Sequence, residues 1–199
     1  MLPGEEQAWK ILSQLTPEDV CIRAKVEFNK LRGIYILKSF LQDIVMSLND
    51  EDMFCSSPTG DFILNEISRF SILSIFWYLI YAKDAPLSNK LVNPADLTGG
   101  LIYLKGAHVL PLNQVAEKYD SDIKGFHMRG EELGGEELDY GDASLRLLPF
   151  PRIPVTIIIW KSDVEFPARC SLLFDSTCEV HLTANVIWST AMMSALIML

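Results

Sequence analysis

The chain has 199 residues, enough for a single buried core, with 49% hydrophobic and 22% charged residues, a balance that excludes global disorder. Its formal net charge of -9, from 26 acids against 17 bases, opposes a phosphate backbone, and with no basic stripe to overcome it nucleic acid is excluded as an expected partner. One α+β domain spanning residues 1–199 is therefore expected.

In chain order, "PGEEQAWKILSQL" predicts a first helix and "TPEDV" announces a second, with Thr16 as cap, Pro17 in the first turn and Glu18 and Asp19 at the positive end of the helix dipole. After Gly33, "IYILKSFLQDIVMSL" reads as two strands around a turn near Ser39 to Asp43, the first hairpin. Residues 62–82 read as a long buried helix, "DAPLSNKLVNPADLTGG" as loop, and a helix is expected after Gly99 and Gly100. A further helix runs from about Pro111, with Leu112, Val115, Ala116, Tyr119, Ile123 and Phe126 at helical spacing. The acidic run Glu131 to Asp142 reads as a solvated loop, "ASLRLLPF" as a strand, and "PVTIIIW" as a central strand apolar on both faces. Residues 154–160 are predicted to pair with 169–175 through the loop "KSDVEFPA", a second hairpin, and a last helix follows "HLTA". The expected architecture is a mostly antiparallel sheet built from these two hairpins and covered by helices.

The apolar stretches at 70–82 and 184–199 invite comparison with membrane spans. The first is too short and continues a polar segment; the second has no basic flank and carries Asn185, Ser189, Thr190 and Ser194, so both read as core helices and a membrane partner is not expected. Cys21, Cys55, Cys170 and Cys178 show no CxxC spacing, and the acidic N-terminus does not resemble a signal peptide. Buried free thiols, no metal site and a cytoplasmic location are the expectation.

No GxSxG, HExxH, P-loop or dinucleotide fingerprint is present. Asp163 and Glu165 share a side of an extended backbone, but Asp175 lies at the far end of the partner strand, roughly 15 to 20 Å away, too far for one metal or one acid–base pair. Asp163 and Glu165 are accordingly expected at a hairpin end, docking a partner rather than doing chemistry. Asp175 reads as a turn former, with Asp175 and His181 as the alternative catalytic pair; His127, at the edge of an apolar helix face, reads as a packing residue. Trp77, Tyr78, Tyr103 and Trp160 come from segments expected to converge on one core and to line any apolar ligand pocket, and Gly99 and Gly100 place bare amides where an anion can be received.

Taken as an ordered set, "DLTGGLIYL", "LGG", "LPFPRIPVTIIIW", "DVEFPA" and "LLFDSTCEVHL" resemble a prokaryotic family of unknown function, numbered three-seven-eight-six and found mainly in anaerobes. The resemblance implies an accessory role near corrinoid or iron–sulfur one-carbon metabolism, because some members resemble fusions to a four-iron, four-sulfur domain. This chain lacks that cysteine-rich part, and Lys161 and Ser162 stand where the family favours glycine. Three functions follow: a non-catalytic module binding a protein partner or small-molecule ligand, with a corrinoid allowed by resemblance alone; a hydrolase or lyase using carboxylates and His181; or a structural subunit of a larger complex. The first is the favoured expectation.

Overall fold

The computed structural model describes residues 4–100 and 108–199. Two helices open the chain, α1 (Glu5–Gln14) and α2 (Pro17–Ala24). Glu5 and Glu6 meet the N-terminal end of α1, whose Ala8, Trp9 and Leu12 are buried on one face. Pro17 begins α2 as expected, but the Thr16 side chain makes no capping bond; its carbonyl accepts from Val20 N at 3.1 Å instead.

A four-stranded antiparallel sheet follows, β1 (Glu27–Asn29), β2 (Ile34–Ser39), β3 (Gln42–Ser47) and β4 (Asp52–Phe54), in that order across the sheet. Alternation fixes its orientation: Tyr35, Leu37 and Ser39 are buried, and Lys38 is exposed between them. The expected long helix over 62–82 is broken. A short α3 (Pro58–Asp61), capped by Ser57 Oγ from Gly60 N, runs into a π-helical turn over Phe62–Glu66, and the chain bends by 97° before α4 (Ser68–Tyr81). Apolar all round, α4 can only be an interior helix, and it packs on α1, α2 and the last helix. Its buried Ser71 and Ser74 hydroxyls donate to Ile63 O and Phe70 O, so both are served within the apolar interior. Among the described residues no single helix is long and apolar enough to cross a membrane.

The second sheet is five-stranded and antiparallel, in the order β5 (Leu91–Val92), β9 (Arg169–Asp175), β8 (Ile153–Trp160), β7 (Ala143–Phe150), β6 (Glu136–Leu138). The predicted β8–β9 hairpin has the expected register, from Val155 opposite Phe174 to Trp160 opposite Arg169. β8 is central and buried on both faces. The α+β architecture thus holds, with the two hairpins on separate antiparallel sheets. The helical run expected from Pro111 is two helices, α5 (Leu112–Tyr119) and α6 (Ile123–Glu132), because Asp122 accepts from Gly125 N and starts α6 afresh. α7 (Cys178–His181) and α8 (Ala184–Leu196) close the chain; α5, α6 and α8 contact the second sheet.

The sheets meet at the tip of the first hairpin. The tip of the β2–β3 hairpin reaches β7 beside a register irregularity between Leu147 and Phe150, and Phe40 N–H donates to Leu148 O at 2.9 Å. Behind this joint Arg152, in the β7–β8 turn and buried, binds Ile22 O, Arg23 O, Ala85 O and the Asp84 carboxylate. It ties the end of α2 and the segment after α4 to the second sheet.

Candidate binding site

Ser39 and Gln42 close a two-residue hairpin of the kind with positive φ at both central positions, normally filled by Asn–Gly or Asp–Gly. Here the residues are Phe40 (φ 47°) and Leu41 (φ 70°). Left-handed backbone costs a non-glycine residue on the order of 1–2 kcal/mol and persists only where the surroundings overdetermine it. Phe40 is fully buried, its N–H is held by Leu148 O, and its carbonyl accepts from Gln42 Nε2 at 3.1 Å. Leu41 is thereby held 58% exposed, pointing into the space beside the joint.

That space is a groove of about 460 Å³, within the range of ordinary ligand sites. Val26, Ile36, Leu133, Leu148 and Pro151 give it an apolar floor with Leu41 as one wall, and Lys25, Glu27, Lys38 and Asp43 stand on the rim. Lys38 Nζ is paired with Asp43 Oδ1 at 2.7 Å; Lys25 forms no ion pair among the described residues. Gly134 lets the wall close in: at φ 68° it is in glycine's own territory, and a Cβ there would stand 2.9 Å from Leu41 Cβ.

The backbone of β2 adds a polar feature. In an antiparallel ladder counted from the Ser39–Gln42 closing pair, alternate residues bond β3, so the N–H and C=O of Ile34, Ile36 and Lys38 point to the other edge. Ile34 and Ile36 meet β1 there, and Phe40 N–H meets β7. Lys38 lies between these two attachments, past the last β2 residue that pairs with β1, on the strand edge that borders the groove. The groove therefore offers an apolar floor beside a stretch of β2 edge that β1 does not cover.

Asp175 is buried and accepts from Ser88 N, Ser88 Oγ, Thr177 N and Thr177 Oγ1 through Oδ1 and from Asn89 N through Oδ2, at 2.6 to 3.1 Å. Burial alone would raise its pKa, but the bonds from Thr177 and Ser88 together outweigh it and hold the carboxyl below its ordinary value. His181 is also buried; its Nδ1 accepts from Lys83 N at 3.2 Å, and burial, then the Arg152 charge, depress its pKa. No hydrogen bond joins the two among the described residues, and each instead organises the segment 83–90. His127 is half-buried, with Nδ1 2.9 Å from Glu137 Oε1. Among the described residues no group of three or more His, Cys, Asp or Glu side chains is placed to hold a metal. The four cysteines are free, and burial pushes the thiols of Cys170 and Cys178 up to about 12.

The aromatic and glycine candidates do not gather at the groove. Tyr78 is buried, stacked on Phe150, donating to Ala24 O at 2.7 Å and accepting from Arg152 N. Trp77 stacks on Tyr81, and Trp160 lies under the Arg169 guanidinium at the far end of β8. Gly100 N–H is used by Leu97 O at 2.8 Å, and the neighbouring Thr98 N–H already meets a carboxylate, Glu179 of this chain, at 2.9 Å. Tyr103, and the helix expected after Gly100, lie outside the described residues.

Asp163 and Glu165 are at the exposed β8–β9 tip as expected, with different roles. Asp163 Oδ1 accepts from Glu165 N and Phe166 N, both at 2.8 Å, which holds its carboxyl below the ordinary range and builds the turn. The Glu165 carboxylate projects without an ion pair among the described residues.

Comparison with curated proteins and with solved structures gave no match. Residues 16–196 match the family described as Domain of unknown function (DUF3786), and with that span covering most of its length the chain belongs to this family.

Proposed function

We propose that this chain is a non-catalytic binding module whose site is the groove between the two sheets, and that its occupant is a short segment of a partner polypeptide. The observation that carries the reading is the hairpin tip: two bulky residues in left-handed backbone, a strained arrangement whose product is an exposed leucine on the wall of an apolar groove. A polypeptide suits it, since an apolar side chain fits the floor and a backbone N–H and C=O can pair along the β2 edge that β1 leaves uncovered at Lys38, the pattern of strand addition to an edge. The engagement of Asp175 and His181 in loop bonds favours this reading over carboxylate–histidine catalysis.

Panning a random displayed-peptide library on the folded protein tests the proposal. Selected peptides are expected to share an apolar position and to lose binding at least tenfold to the Leu41→Asp variant, whose fold is checked by circular dichroism. Absence of enrichment, or binding indifferent to Leu41→Asp in a folded protein, contradicts it.

A further inference from the structure

The β8–β9 tip has the chemistry that the groove calls for. Val164 is fully exposed and Phe166 is 61% exposed, two large apolar side chains on one short loop. The loop is held by three carboxylates: Asp163 binds the Glu165 and Phe166 amides, Asp120 binds Ser162 N and Oγ at 2.7 Å each, and Asp142 binds Lys161 N at 2.8 Å. Asp163 N–H also donates to Phe166 O at 2.9 Å. A loop so fastened presents its apolar pair without the ordering cost of a mobile one.

We infer that the tip of one copy docks in the groove of a second copy, with Phe166 and Val164 on the apolar floor and Glu165 against Lys25. This inference rests on the reading of the groove as a polypeptide site. Size fits, because a groove of about 460 Å³ accommodates both side chains. Charge fits in one orientation: among the described residues Lys25 is the rim cation without an ion pair, Glu165 is the tip carboxylate without one, and Lys38 is already neutralised by Asp43. Glu27, on the same rim, repels Glu165 if the tip enters reversed.

Position makes the contact intermolecular. Pro151, in the groove, precedes β8 and the tip follows it, so the two surfaces lie at opposite ends of an eight-residue strand, roughly 26 Å apart at about 3.3 Å per residue. A chain cannot fill its own groove with its own tip. The contact joins two different patches, so repetition gives rings or open chains rather than a closed two-fold dimer.

Sedimentation velocity over a broad concentration series tests this with the protein alone. Wild-type chain is expected to grow from monomer to species beyond the dimer. A tip variant (Val164→Asp with Phe166→Asp) and a groove variant (Leu41→Asp) are each expected to remain monomeric, while their mixture gives a 1:1 dimer and nothing larger, since one good tip and one good groove remain. Lys25→Glu and Glu165→Lys are each expected to weaken association at least tenfold, and the two combined in one chain to restore it, which a folding defect would not do. A wild-type chain that stays monomeric at every concentration, a mixture that does not dimerise, or a charge exchange without rescue overturns the inference. Such a result alongside successful peptide selection removes the second copy as occupant and leaves the groove's binding role standing; failure of both removes the groove.

Discussion

Leu41 shows how one residue can be wrong for its backbone and right for its surface. At φ 70° and 58% exposed, it gains little from burial and bears the left-handed penalty. Asn tolerates that conformation far better, so Leu41→Asn is expected to raise stability by about 0.5–1 kcal/mol, read from the urea midpoint, while weakening binding of a selected peptide at least tenfold. A destabilised variant would mean that Leu41 is a packing residue. His181 supplies a second test at this scale. Its folded pKa lies below the ordinary value of about 6.5, so the unfolded chain takes up a proton first as pH falls. Stability is therefore full above about pH 6.5 and declines from there down to the depressed folded value. His181→Asn, which keeps an acceptor for Lys83 N–H but does not titrate, is expected to flatten this decline in urea titrations at stepped pH. An unchanged slope would place the titration elsewhere. Asp175 acts lower: its depressed pKa contributes stability that is lost only as pH falls below about 3.9.

Among the elements, those with strong local patterns were legible in advance. The short apolar runs "IYILKS" and "PVTIIIW", and the pairing of 154–160 with 169–175, follow from strand-length apolar segments set around one polar turn. Breaks were harder to see. The run from Leu112 to Phe126 keeps helical spacing straight through the interruption at Asp120–Asp122, because the cause is a side-chain cap at Asp122 and the distant bonds that Ser162 donates to the Asp120 carboxylate. Such bonds leave no mark on hydrophobic periodicity. The clamp made by Arg152 was equally hidden, since "PRIP" carries no local signal while its partners lie at positions 22, 23, 84 and 85. Arg152→Met is expected to destabilise the fold by about 3 kcal/mol, because the carbonyls of Ile22, Arg23 and Ala85 lose a buried partner. An unchanged denaturation midpoint would show those carbonyls to be served by water.

For the molecule as a whole, the two hairpins belong to separate sheets joined at Phe40 and Leu148, and the candidate site exists only because of that joint. This is why it was hidden in the sequence. Its floor draws on segments near positions 26, 36, 41, 133, 148 and 151, and no spacing rule connects them. Aromatic content drew attention to Trp77, Tyr78 and Trp160, which instead stack on Tyr81 and Phe150 or lie under Arg169. One clue is present: the central positions of the turn in "KSFLQD" are Phe40 and Leu41, with no Gly, Asn or Asp between the strands' closing residues, and bulky residues there signal a conformation held from outside.

Membership of the family over residues 16–196 makes the groove a question for more than one chain. The most direct test is an amide chemical-shift titration of the isotope-labelled protein with a peptide selected on it. The account predicts that perturbations centre on Val26, Lys38, Leu41, Gly134 and Leu148, with the Lys38 amide moving toward a hydrogen-bonded shift. Perturbations centred instead on Trp77, Gly99, Gly100 and Trp160, with the groove amides unmoved, would contradict it.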